Sequence, residues 1–176
     1  MMKRKGYFFI LAGLLLLNSC KISLKGISIP PGMKTINVSV FENNAPLVVA
    51  SLSPQFTEEL KTRIRNQTSL SITANDADAV FSGNITGYTI NPVALQDNRS
   101  GGVNNNQSLA GANRLSIRVS VKYVNNLDPK KSFEESFERY KDYRPAGSPQ
   151  AQEMALIKDV TAQLTEDIFN RAFAQW

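Results

Sequence analysis

Arg114-Leu115-Ser116-Ile117-Arg118-Val119-Ser120-Val121-Lys122-Tyr123-Val124 alternates without a break. Leu115, Ile117, Val119, Val121 and Tyr123 fall on one side of an extended chain. Ser116, Arg118, Ser120 and Lys122 fall on the other. Successive side chains of a strand point to opposite faces, so this period of two defines a strand with one buried and one polar face. A sheet built around it needs covering on its apolar side only. Its second face, rich in Ser, Thr, Asn, Lys and Arg, stays open to water or to a polar partner.

The neighbouring segments extend that sheet. Upstream, Ala79 to Ile90 reads as a long strand with Phe81, Gly83, Ile85 and Gly87 on one face. The two glycines either admit a close helix backbone or are simply weak strand positions. Pro92 is expected to limit the strand's far end. Gln96 to Ala112 is Asn/Gly/Ser/Gln-rich with no hydrophobic period, a long loop between two strands. Downstream, a turn at Asn125–Lys130 with Asp128-Pro129 leads to a strand over Ser132–Tyr140, with Phe133 and Phe137 on one face. Nearer the N-terminus, Thr35 to Phe41 alternates, with Ile36, Val38 and Val40 on one side, and Ser69 to Thr73 reads as a short strand.

Two helices supply the cover. Ser53-Pro54 is a start signal, because Ser is a good N-cap and Pro at the first helical position gives up no needed hydrogen bond. Phe56, Leu60 and Ile64 then recur every four residues, and Asn66 is a plausible stop. Ser148-Pro149 repeats the signal. Ile157, Val160, Leu164, Ile168 and Ala172 form the stripe of a helix of about 26 residues, ~39 Å long. The predicted fold is α+β, a two-layer sandwich with both helices packed on one face of a mostly antiparallel sheet of about four to five strands. Leu60, Ile64, Leu164 and Ile168 should pack against Ile36, Val38, Leu115, Ile117 and Val119.

The N-terminus reads as an export signal. Lys3, Arg4 and Lys5 precede an apolar run from Tyr7 to Leu17, too short to span a bilayer as a mature helix. Leu17-Asn18-Ser19-Cys20 has the pattern of a bacterial lipoprotein box, with Asn18 where Ala, Ser or Thr is commoner. The alternative is a buried free cysteine in an ordinary secreted protein. The box requires that thiol, whose thiolate is the nucleophile that takes up a diacylglycerol group. The organisation expected is a signal peptide at 1–19, a lipidated tether at 20–34 with a turn at Pro30-Pro31-Gly32, and a single domain at 35–176. Lys21 follows Cys20, not an aspartate of the kind that retains lipoproteins in the inner membrane, so an outer-membrane anchor on the periplasmic side is expected.

Composition narrows the chemistry. The chain has 20 Lys and Arg against 15 Asp and Glu. Without Lys3, Arg4 and Lys5 the mature chain has 17 against 15, a net charge of +2, so nucleic-acid binding loses its electrostatic support. Histidine is absent and Cys20 is the only cysteine. Imidazole general bases, Ser-His-Asp triads and Cys-His dyads are therefore excluded. Glu58-Glu59 and Glu134-Glu135 are adjacent pairs that point apart. Gly101-Gly102 lacks the Lys-Ser or Lys-Thr of a phosphate loop. No catalytic residue, metal site or cofactor is predicted beyond acyl chains on Cys20.

A set of motifs carries a family resemblance. It comprises Phe41-Glu42-Asn43-Asn44-Ala45-Pro46-Leu47, Leu52-Ser53-Pro54-Gln55-Phe56-Thr57-Glu58-Glu59-Leu60, Phe81-Ser82-Gly83-Asn84-Ile85-Thr86-Gly87-Tyr88, Asn113-Arg114-Leu115-Ser116-Ile117 and Asp167-Ile168-Phe169-Asn170 before Trp176. In this order the chain resembles the LptE family of lipopolysaccharide-assembly lipoproteins, in its Bacteroidetes-type branch. The resemblance implies two helices on a four-stranded sheet and a non-enzymatic subunit that plugs the outer-membrane barrel LptD, helps it fold, and supports lipopolysaccharide insertion. It also implies basic residues near the loop–strand edge that touch lipopolysaccharide phosphates. The candidates at that edge are Arg99 and Arg114, with Lys141 and Arg144 on the connection before the last helix, each otherwise a solvated surface charge; Cys20 carries over directly as the lipidation site. Two other readings are an envelope accessory lipoprotein of curli-secretion-like or TolB-like type, and a periplasmic enzyme.

Overall fold

In the computed structural model, the structure describes residues 28–47, 49–95 and 109–174. Cys20 and Arg99 lie outside them. The elements are β1 (Thr35–Val38), β2 (Glu42–Asn43), α1 (Leu52–Gln67), β3 (Ser71–Ile72), β4 (Ala79–Leu95), β5 (Leu109–Asn125), a 3₁₀ turn (Pro129–Lys131), β6 (Phe133–Tyr143) and α2 (Pro149–Phe173). The class is α+β, and both helices share one buried cluster with one face of the sheet.

The sheet is mixed and six-stranded, which corrects the mostly antiparallel sheet of four to five strands. Its order is β3-β1-β4-β5-β6, with β2 also on β4. β4, β5 and β6 form an antiparallel meander, whereas β1 lies parallel to both β3 and β4, and β2 parallel to β4. The physical reason is the helix between β1 and β3. A strand, a helix and a second strand beside the first form a crossover, which returns the chain in the same direction. β2 has only two residues, and its pairing with Asn84 and Ile85 defines it.

Asp78 organises the parallel half. Its Oδ2 accepts from the backbone N–H of Lys34 (2.7 Å) and Thr35 (2.9 Å) and from the Thr35 hydroxyl (3.0 Å). The Thr35 hydroxyl accepts in turn from the Asp78 N–H at 3.0 Å. The loop joining β3 to β4 is thereby tied beneath the start of β1.

β5 follows its alternation closely: Leu115, Ile117, Val119, Val121 and Tyr123 are all buried. So are Ile36, Val38, Leu60, Ile64, Leu164 and Ile168, in the same cluster. β4 departs from its pattern. A bulge between Ile85 and Gly87 shifts the register, and Tyr88 takes the inward place that strict alternation gives Gly87. Neither glycine admits a helix. A Cβ on Gly83 would stand 2.1 Å from the Ser120 carbonyl oxygen and 2.7 Å from the Phe41 ring, so this glycine makes room for strand β5 and an aromatic side chain. β4 also runs through Pro92 to Leu95. Past Ile85 it has no neighbour on its β2 side among the described residues, and a proline is tolerated on such an edge.

α1 begins at Leu52, with Ser51 at the N-cap, two residues before the Ser53 cap expected. α2 begins at Pro149 after Ser148, as read. Arg63 joins the helices: its Nη2 donates to the Ala162 carbonyl oxygen (2.9 Å) and its Nε to the Thr165 hydroxyl (3.2 Å). At the far end of α2, the Ser28 N–H donates to the Phe173 carbonyl oxygen at 2.7 Å, and Met33 is buried.

Candidate partner-binding face

The outer face of β5 and β6 is a ladder of opposite charges. The register sets Arg114 opposite Asp142, Arg118 opposite Glu138 and Lys122 opposite Glu134. Arg114 donates from Nε and Nη2 to the two Asp142 oxygens at 2.6 and 2.8 Å, a bidentate pair, and its guanidinium lies 3.8 Å from the centre of the Tyr140 ring. Arg118 donates from Nε and Nη2 to Glu138 Oε2 at 3.1 and 2.7 Å. The Arg114 hydrogen bonds hold the Asp142 carboxyl below its ordinary range, and Asp142 raises the Arg114 guanidinium. Arg114 and Asp142 therefore stay ionised throughout the physiological range. The face offers two ion pairs, Arg114–Asp142 and Arg118–Glu138, with Tyr140 half exposed among them.

The inner side of β6 pairs with α2. Glu135 accepts from Arg171, Arg139 donates to Asp167, and Lys141 to Asp159. Lys141 and Arg114 therefore lie on opposite faces. Arg144 sits in the exposed connection before α2, where its carbonyl oxygen accepts from Gln152 Nε2 at 2.8 Å. The structure does not gather Arg114, Lys141 and Arg144 into one basic site. Of the long loop, Leu109–Ala112 belong to β5, and 96–108 lie outside the described residues.

Two clefts flank the first turns of α2. One, of about 400 Å³, lies between Ile90, Leu115, Tyr143 and Leu156. The other, of about 290 Å³, lies between the segment leading into α1 (Val49, Ser51) and Met154 and Ile157. Glu153 lines both. Its Oε1 accepts from the buried Tyr88 hydroxyl at 2.6 Å, and burial together with this carboxylate pushes the Tyr88 phenol above its ordinary range. Sequence reading missed Tyr88, Arg118, Glu138 and Glu153. The charge ladder had a signal: the basic residues of β5 and the acidic residues of β6 both recur every four positions, mirrored about Asp128.

Among the described residues no group of three or more His, Cys, Asp or Glu is arranged to hold a metal, and no helix is long and apolar enough to cross a membrane. The fold is a two-layer α+β domain with one face of the sheet covered by both helices and one open face of paired charges. The sequence profile of the LptE lipopolysaccharide-assembly family matches residues 33–172, and the chain belongs to that family. Its fold is shared with a hypothetical protein of Chlamydia trachomatis, at 12% identity and TM-score 0.53, covering 78% of this chain and 94% of that one. It is also similar to a minor lipoprotein from Acinetobacter baumannii (14% identity, TM-score 0.48, 79% and 91% covered). A third similar structure is the rare lipoprotein B from Shewanella oneidensis (15% identity, TM-score 0.45, 78% and 92% covered). No curated protein sequence matches.

Proposed function

We propose that this lipopolysaccharide-assembly lipoprotein is the non-catalytic partner of the outer-membrane barrel LptD, seated in it as a plug and support. The family match over nearly the whole domain carries this reading. Cys20 bears the acyl chains, the tether ends at Ser28 where the chain joins the domain, and the protein is held on the periplasmic side of the outer membrane. Two or three acyl chains anchor it far more firmly than one. No cofactor is needed, because a subunit of this kind supplies a surface and no chemistry.

The open sheet face is the proposed contact with the barrel wall. Its arginines are already held in place by Asp142 and Glu138, so little side-chain freedom is lost on docking. Arg144, exposed and with no ion pair among the described residues, is the best-placed phosphate contact. Arg99 is a second candidate. Arg114 and Lys141 reach phosphate only in competition with Asp142 and Asp159. The test is affinity purification from detergent-solubilised outer membrane, with identification of any barrel that accompanies the protein. A copurifying LptD that is lost with Arg118→Glu supports the reading; purification without a barrel overturns it.

A further inference from the structure

The sheet has two long free edges, and they are built differently. β6 carries six charged residues among its eleven. Charged side chains are a usual way to keep an edge strand from pairing with another chain. β4 carries no charged residue in seventeen. Yet from Thr86 onward its β2 side has no neighbour among the described residues, and Thr86, Thr89, Ile90 and Asn91 are exposed. The bulge at Ile85/Gly87 and the proline at 92 bound the regular part of this edge. Between them lies Gly87–Asn91, about the length of an average strand.

The lane beside this run is a continuation of β2. That strand pairs with β4 as far as Ile85, where the Asn44 N–H donates to the Ile85 carbonyl oxygen at 2.9 Å, and the chain then turns away towards α1. The segment that turns away contributes Val49 and Ser51 to the 290 Å³ cleft, and α2 closes the cleft with Glu153, Met154 and Ile157. Tyr88 faces inward from the open run and holds the Glu153 carboxylate. The other carboxylates of α2 are ion-paired: Asp159 with Lys141, Glu166 with Arg63, and Asp167 with Arg139. Glu153 has no ion pair among the described residues.

We propose that Gly87–Asn91 of β4 accepts an extended segment of another protein as an added strand, and that a lysine or arginine of that segment enters the cleft and pairs with Glu153. Backbone groups of the edge supply affinity, and the cleft supplies selection. Val49, Met154 and Ile157 pack the aliphatic stem, while the carboxylate receives the charged head. A second copy paired through the same edge, β4 with β4, brings no cation to Glu153. The inference is independent of whether the partner is a barrel.

The test uses the full chain in detergent and a synthetic peptide of alternating valine and threonine with one central lysine. The control peptide has norleucine in place of lysine, which keeps the stem and removes the charge. The lysine peptide should slow amide exchange across Gly87–Asn91 and bind at least about ten-fold more tightly than the control, as a hydrogen-bonded charge partner implies. Glu153→Gln, which retains an acceptor for Tyr88, should erase that difference. Equal affinity of the two peptides for the wild-type chain overturns the proposal without reference to any variant. So does a lysine peptide that leaves exchange at Gly87–Asn91 unchanged. Protection of these amides without peptide, accompanied by a concentration-dependent dimer in sedimentation, assigns the edge to a second copy and also overturns it.

Discussion

Arg63 of α1 donates from Nη2 to the backbone carbonyl oxygen of Ala162, halfway along α2, at 2.9 Å. Its side chain is only 14% exposed, and its Nε reaches the Thr165 hydroxyl of the same helix. The pairing with Glu166 is longer, 3.9 Å, and Glu166 is 60% exposed, so it adds little. Arg63 is therefore a bolt between two helices that otherwise meet through apolar contacts. Arg63→Met keeps much of the stem and removes the hydrogen bonds. It should destabilise the fold by roughly 1.5–3 kcal/mol, measured by urea denaturation, while Glu166→Gln changes little.

Leu164 is fully buried where α2 crosses the sheet. Leu164→Ala should cost ~2–5 kcal/mol, a large fraction of an ordinary domain's stability. The midpoint of urea unfolding reads this directly. Met154→Ala, on the same helix but 60% exposed, is the control and should shift the midpoint far less.

Tyr123 is buried among Phe81, Phe133 and Phe173, and its hydroxyl has no hydrogen-bond partner among the described residues. Burial pushes its phenol up to about 12. A raised value in the folded state means stability that is complete below the unfolded value near 10 and is lost as pH rises through about 12. Tyr123→Phe should gain about 1 kcal/mol at neutral pH by removing an unpaired buried hydroxyl. It should also flatten the fall in melting temperature above pH 10, leaving the part that Tyr88 contributes.

The acid limb should respond to Asp78. Its carboxyl is held below the ordinary aspartate value of 3.8, first by the Lys34 N–H and then by the N–H and hydroxyl of Thr35. A depressed value means stability that is present above 3.8 and lost as pH falls through the lower folded value. Asp78→Asn should lower the melting temperature at pH 7 and weaken its dependence on pH below 4. An acid profile identical to the wild type would remove Asp78 as the source.

Cys20→Ala should abolish acylation and leave the precursor unprocessed by the lipoprotein signal peptidase. Mass spectrometry of membrane-extracted protein measures both. A wild-type chain without acyl chains would reject the anchor.

What the sequence reveals follows from which features are local. The strict alternation from Arg114 to Val124 and the stripe of Leu164 and Ile168 each report a single element against a core, and both sets of residues are buried as read. The direction of β1 and β3 is not local, although the helix between them already required a crossover. The bulge at Ile85/Gly87 leaves no mark in a period-two pattern, so Tyr88 stood on the wrong face and its bond to Glu153 was invisible. Among the candidate residues, Arg114 and Lys141 both lie within strands, although the sequence reading puts Lys141 on the connection before the last helix. Their faces are set by the β5–β6 register, which sends one to Asp142 and the other to Asp159.

The hydrogen bond from Ser28 to Phe173 has a mechanical consequence. It fixes Ser28 at one end of the sheet, against Phe173 and near Phe81 and Tyr123, where β4 begins and β5 ends. The far end of the β4–β5 hairpin stands roughly 50 Å away, at about 3.3 Å per strand residue. A pull between these two points runs along the strands, across ladder hydrogen bonds that lie perpendicular to it. The bonds are then loaded together, in shear, and cannot open one at a time as they would in peeling. A domain tied at one end and gripped at the other would carry force as a stiff strut.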